Sequence, residues 1–169
     1  MMAYPELHTK RLWLRELRLS DGPLVYRLFS NPEVTRYMDI EPCKSLKEAE
    51  EIILFHLEDS GCRYGIFLKD SDIFLGTAGY HCWEQGDRSK AEIGFDLDPV
   101  YWGQGYMTEA LEALIGMGFE RMGLEMIEAT VDRENLRSQR LMHKLRFLKA
   151  EELKDGLFYY TRSNHAAAS

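Results

Sequence analysis

Apolar and polar residues alternate from Arg11 to Leu17, with Leu12 and Leu14 on one side and Trp13 on the other, which predicts an early strand. Ser20-Asp21-Gly22-Pro23 then marks a turn and a helix start, and Leu24, Val25, Leu28 and Phe29 continue at helical spacing until Asn31-Pro32. Ser45, with Glu48 three residues on, resembles a capping box and opens a second helix over 46–59. Strand-like runs follow at Tyr64–Leu68, Ile73–Tyr80 and Ala91–Leu97, separated by turn-forming polar segments. From Met107, apolar residues at 107, 110, 111, 114, 115, 118, 119 and 122 draw a helical stripe that Gly123 closes. Met126–Val131 is a strand, Asn135 starts a last helix, and Phe147–Leu153 with Leu157–Arg162 form a terminal hairpin around Asp155-Gly156.

The order is β-αα-βββ-α-β-α-ββ, an α/β (α+β) pattern. Strand 91–97, helix 107–122 and strand 126–131 make a βαβ crossover within a mostly antiparallel sheet. One domain spans 1–169, with its core over about 9–162 and a loose tail at 163–169.

Composition narrows the function. At 169 residues and 45% hydrophobic, the chain can bury a substantial core, which excludes disordered and low-complexity classes. A net charge of −7 argues against nucleic acid or an anionic membrane as partner and suits a cationic one, such as an amine or basic peptide. No stretch approaches the roughly 18 apolar residues of a membrane span. Three cysteines without metal-ligand spacing and an N-terminus without a leader pattern point to the cytoplasm. His81 and Cys82 are neighbours in a strand and should face opposite sides, so no metal is expected.

The most informative segment joins a strand to the most periodic helix: Asp96-Leu-Asp-Pro-Val-Tyr-Trp-Gly-Gln-Gly-Tyr-Met-Thr-Glu-Ala110. Gly103 and Gly105 let the backbone turn tightly and approach a ligand. The helix that follows opens with amides that lack intrahelical partners, at the positive end of its dipole, an arrangement suited to a diphosphate. Thr108 adds a hydroxyl. The segment fits neither G-x-G-x-x-G nor a Walker loop. Downstream, Arg137, Arg140 and Lys144 recur on one helix face. Residues 132–149 hold six basic side chains against two acidic ones, a local stripe that suits an anionic ligand.

Trp102-Gly-Gln-Gly-Tyr-Met-Thr-Glu-Ala110 resembles the acetyl-coenzyme A loop of GNAT-superfamily N-acetyltransferases. Thr9–Arg15, Ser30–Arg36, Ala91–Gly94 and Asn135–Ser138 resemble its RimJ/RimL-like branch. The resemblance implies a seven-stranded mixed sheet with about four helices and splayed central strands. It also implies acetyl-CoA as cosubstrate and direct transfer to a primary amine. The expected acceptor is a peptide or protein N-terminal α-amine; an amino acid, polyamine or antibiotic amine, or a non-catalytic CoA-binding module, are the alternatives. The protein would be a monomer or homodimer.

On this resemblance Trp102, Gly103, Gln104, Gly105, Tyr106, Met107 and Thr108 form the phosphate loop. Backbone groups near Phe95 and Leu97 meet the pantetheine arm, with Asn135 also bonding it, and Arg140 meets a phosphate. Glu92, on one strand face with Gly94 and Asp96, receives the amine proton. Ser138 relays a proton to sulfur, because Met142 stands where relatives carry a tyrosine. Met107 replaces a small residue and could narrow the space beside the diphosphate, and Arg146-Phe147 replaces a Gly-Phe pair. Tyr37 and Trp83 would border the acceptor side.

Overall fold

In the computed structural model, residues 3–164 are described. Alternation explains how the sheet acquires two apolar faces. In β2 (Leu12–Glu16), Leu12 and Leu14 are fully buried in one apolar cluster while Trp13 packs against another. In β3 (Cys62–Leu68), Ile66 and Phe67 divide the same way, as do Leu75 and Phe74 in β4 (Phe74–Glu84).

The larger cluster lies under α4 (Tyr106–Glu120), whose Leu111 and Leu114 are fully buried. Each such leucine contributes roughly 1.5–3 kcal/mol by leaving water. The smaller cluster lies under α1 (Gly22–Phe29) and α3 (Leu46–Glu58). Ser45 caps α3 by accepting from Glu48 N at 3.2 Å, and Glu48 reaches back to Lys44 N at 2.6 Å. Gly118 brings α4 close to the sheet: a Cβ there would stand 2.5 Å from the Tyr80 hydroxyl, which donates to Leu114 O at 2.8 Å.

The remaining strands are β1 (Leu7–His8), β5 (Lys90–Leu97), β6 (Met126–Val131), β7 (Leu148–Lys149) and β8 (Phe158–Ser163). The sheet order is β1-β2-β3-β4-β5-β6-β8-β7, antiparallel throughout except where β6 joins β5 in parallel across the α4 crossover. The terminal turn uses Asp155 and Gly156, both at positive φ, as a tight hairpin requires.

Four expectations change. The sheet has eight strands, not seven, because the two-residue β1 is too short to show alternation. A fifth helix, α2 (Pro32–Thr35), begins where Asn31-Pro32 reads as a stop: Asn31 Oδ1 accepts from Glu33 N at 2.9 Å and Pro32 opens a new turn. Strand β4 runs past Tyr80 to Glu84, with a register shift between His81 and Glu84 and Cys82 at φ 53°. At the C-terminus, Ser163 still belongs to β8 and Asn164 N donates to Glu125 O at 2.9 Å. The rest of the expected tail, 165–169, lies outside the described residues.

Candidate functional site

The parallel ladder between β5 and β6 is three residue pairs long, ending at Glu92↔Glu128. Beyond it β5 stays with β4 as far as Leu97, and β6 stays with β8 as far as Val131. The strands therefore part, and the backbone edge of β5 from Ile93 onward faces a cavity of about 1290 Å³ instead of a neighbouring strand. A strand edge of this kind offers N–H and C=O groups to an extended ligand. Phe95, Leu97, Thr130 and Val131 line the opening.

At one end of the cavity stands the start of α4. Gly105 caps the helix in the left-handed region at φ 79°, and Gly103 has φ 75°. These angles strain any residue with a Cβ. The amides of Tyr106, Met107 and Thr108 then open the helix without carbonyl partners in it. Several contacts hold the loop. Trp102 Nε1 donates to Leu97 O at 2.8 Å. Arg11 Nη1 donates to Gln104 O at 3.0 Å, its Nε to Glu109 Oε1 at 2.8 Å, and its guanidinium lies 4.3 Å from the Tyr106 ring centre. Thr9 Oγ1 also donates to Glu109.

Met107 belongs to the core cluster and also lines the cavity at the cradle. Gln104 does not line the cavity; its amide turns back to Val100 O at 3.3 Å. Leu97's carbonyl is already engaged by Trp102, whereas no side chain among the described residues donates to the Phe95 carbonyl.

Helix α5 (Leu136–Lys144) forms the adjoining wall. Asn135 caps it, accepting from Ser138 N at 3.2 Å. Asn135, Arg137, Ser138, Arg140 and Lys144 all line the cavity, so the basic stripe faces it. Arg137 stacks 3.2 Å above the Trp102 ring and ties the two walls together. Met142 is fully buried in the core and Leu141 is the cavity residue of that turn, so a side chain at 142 points away from the opening. His143 is exposed outside the lining.

The other end of the cavity is made by side chains on one face of β3, β4 and β5. Glu92 Oε1 accepts from Thr130 Oγ1 at 2.9 Å, and its Oε2 lies 3.5 Å from His81 Nε2. The His81 contact, assisted by Thr130 and opposed by burial, holds the Glu92 carboxyl below its usual range, so it is ionised at neutral pH. Arg63 and Asp96, both buried, form an ion pair that Thr77 completes. His56 is pushed down to about 3 by burial and by the positive field of Arg63, so it is a neutral imidazole.

His81 is the functional candidate that sequence reasoning set aside. The bulge at Cys82 breaks the rule that neighbours face opposite sides: one ligand atom from each of His81, Cys82 and Glu92 lies within 4.8 Å of the others. Burial and the charge of Glu92 push the Cys82 thiol up. Tyr37 lines the cavity as expected. Trp83 does not; its Nε1 donates to Ser89 Oγ at 3.1 Å.

Residues 11–148 match the family model described as an Acetyltransferase (GNAT) domain. An uncharacterised N-acetyltransferase, p20, of Bacillus licheniformis is 38% identical over 153 residues, covering 88% of this chain and 85% of the relative. A second, YoaA of Bacillus subtilis, is 35% identical over 159 residues, covering 92% and 89%. Among solved structures, a RimL ribosomal L7/L12 α-N-protein acetyltransferase in complex with coenzyme A superposes with a TM-score of 0.83 at 20% identity, covering 96% of this chain and 99% of that one. A Vibrio cholerae spermidine N-acetyltransferase with CoA and spermine superposes with a TM-score of 0.79 at 21% identity, covering 94% and 98%. At these identities the two superpositions speak for the fold. No helix among the described residues is long and apolar enough to cross a membrane.

Proposed function

The chain belongs to the GNAT acetyltransferase family, and from that premise we propose that it acetylates the α-amine of a peptide or protein N-terminus where β5 and β6 part. The observation that carries this reading is the meeting of three features in one cavity: an amide cradle at the start of α4, an unpaired strand edge, and an ionised carboxylate beside an imidazole.

The cradle fits the cosubstrate. The amides of Tyr106, Met107 and Thr108, with Arg140 and Lys144 across the cavity, suit the phosphates of acetyl-CoA. The β5 edge at Phe95 and the side-chain amide of Asn135 suit its pantetheine arm. When bound, acetyl-CoA would supply the activated acetyl group, and coenzyme A would leave as the free thiol.

The chain's own residues manage protons. With Nε2–H turned to Glu92, the His81 ring presents Nδ1 as a proton acceptor. The Glu92–His81 pair thereby takes the proton of the incoming amine. Ser138, the hydroxyl of α5 at the cavity wall, holds a proton for the departing sulfur. The matching segments at Thr9–Arg15 and Ser30–Arg36 support a RimJ/RimL-like assignment, and free thiols with a cytosolic cosubstrate support a cytoplasmic location.

A polyamine is the second reading, and the acidic residues Glu33, Asp39 and Asp155 on the cavity wall favour it. Thiol release with a panel of peptides, amino acids, polyamines and aminoglycosides tests the proposal. Turnover concentrated on peptides supports it. Turnover of polyamines alone transfers the assignment to small amines, and acetyl-CoA binding without turnover of any amine makes the protein a coenzyme-binding module.

A further inference from the structure

Arg63 occupies an unusual track across the sheet. It sits opposite Gly79 on β4, and Gly79 sits opposite Gly94 on β5, so two positions without side chains lie in its path. Its side chain crosses them, 8% exposed, and its guanidinium lodges against β5. Nε and Nη2 donate to Thr77 Oγ1 at 3.1 and 2.9 Å, and Nη2 also pairs with Asp96. Those contacts fix the plane of the guanidinium and leave Nη1 with no hydrogen-bond partner among the described residues. Nη1 points at the bare face of Gly94: the position a Cβ would take there is 3.0 Å from it. The same position is 3.3 Å from His81 Cε1 and 3.7 Å from His81 Nδ1. One small space is thus bordered by a fixed hydrogen-bond donor and by the ring nitrogen turned away from Glu92.

The geometry points to Arg63 as the residue that selects the acceptor. Nη1 donates to the carbonyl or carboxylate oxygen beside an α-amine while that amine meets His81, which makes the substrate class an α-aminoacyl compound. This inference rests on the acetyl-transfer reading above and deepens it. An α-aminoacyl unit carries its nitrogen and its carbonyl oxygen on adjacent carbons, so both can reach one small space. A polyamine or alkylamine places a methylene against Nη1 and leaves a partly desolvated donor unpaired. The Asp96 carboxylate offsets the charge of Arg63, so the nearby amine is not repelled as it would be by a free cation. The held guanidinium also needs little reordering on binding.

The test compares kcat/KM for L-alaninamide, L-alanine, isopropylamine and spermidine, with rates referred to the neutral amine. A carbonyl-bearing substrate should exceed isopropylamine by at least tenfold, roughly what one charge-assisted hydrogen bond supplies. In Arg63→Lys, which keeps a cation for Asp96 but loses the planar fork, the ratio should fall below about threefold. Gly94→Ala, which fills the space and leaves the ion pair in place, should lower the ratio as well. Thermal melts confirm that each variant folds. The two carbonyl substrates separate the sources: a preference for alaninamide indicates a peptide, a preference for alanine a free amino acid. A wild-type ratio near one, or a folded Arg63→Lys that keeps the full ratio, overturns the assignment of Arg63 and leaves the transferase reading standing. Failure of the wild type to acetylate any amine overturns both.

Discussion

The two ends of the cavity are built from different materials. The end at the start of α4 is mostly backbone: two glycines at positive φ, three opening amides and a basic stripe one helix away. The end on β3, β4 and β5 is mostly side chain, with Glu92, His81, Arg63 and Asp96 brought together across three strands. Backbone amides and helix termini recognise phosphate whatever the side chains are, so the first end suits a ligand shared by many enzymes. Charged side chains held by mutual hydrogen bonds recognise one arrangement of donor and acceptor, so the second end can discriminate.

If that division is right, each end fails independently. The largest effect is expected on the side-chain end. Glu92→Gln should lower kcat by about 10²–10⁴, the usual worth of a positioned proton acceptor, while acetyl-CoA affinity by calorimetry stays within about twofold. The backbone end should show the converse. Gly105→Val must place a β-branched residue at φ 79°, and should weaken acetyl-CoA binding at least tenfold, ~1.4 kcal/mol, with a folded protein and little change in amine preference. A single variant that impairs both parameters equally would break the comparison.

A smaller effect sharpens the coenzyme end. Replacing Arg140 and Lys144 by Gln should cost coenzyme A about fivefold more than dephospho-coenzyme A, since exposed charge pairs contribute only about 0.2–1 kcal/mol each. The difference should shrink with salt. Equal losses for both ligands would leave the stripe to another phosphate or to solvent. The smallest effect concerns pH. His81 holds the Glu92 carboxyl below its usual range, so Glu92 stays ionised at neutral pH and activity is lost only on the acid side. His81→Ala removes that contact along with the ring nitrogen that meets the amine, so kcat should fall and the activity that remains should be lost at a higher pH than in the wild type, measurable in brief pH-jump assays.

The backbone end was the legible one because its determinants are consecutive. Gly103, Gly105, the stripe from Met107 and the Asn135 cap lie within short stretches, and local spacing fixes their geometry. The alternation around Glu92 likewise sets its face correctly alongside Gly94 and Asp96. The side-chain end depends on register between distant strands. Nothing near Arg63 in sequence says that Gly79 and Gly94 will lie in line with it. The bulge at Cys82 could not be read either, since a non-glycine residue at positive φ leaves no compositional mark, and it reversed the reading of His81. The side chains of Trp83 and Gln104 turn away from the cavity because a side chain's direction at a strand end or in a loop is set by tertiary partners, here Ser89 and Val100. Met142 lies on the helix face that packs inward, a matter of how α5 docks onto the sheet.

The most direct measurement gives the wild-type protein acetyl-CoA and one short peptide carrying a free N-terminal alanine and an internal lysine. Mass spectrometry reports where the acetyl group goes, and thiol release reports how much is transferred. The account predicts one acetyl group on the α-nitrogen, one thiol released for each, and none on the lysine side chain. Acetylation of the lysine instead, or bound acetyl-CoA with neither product nor thiol, would contradict it.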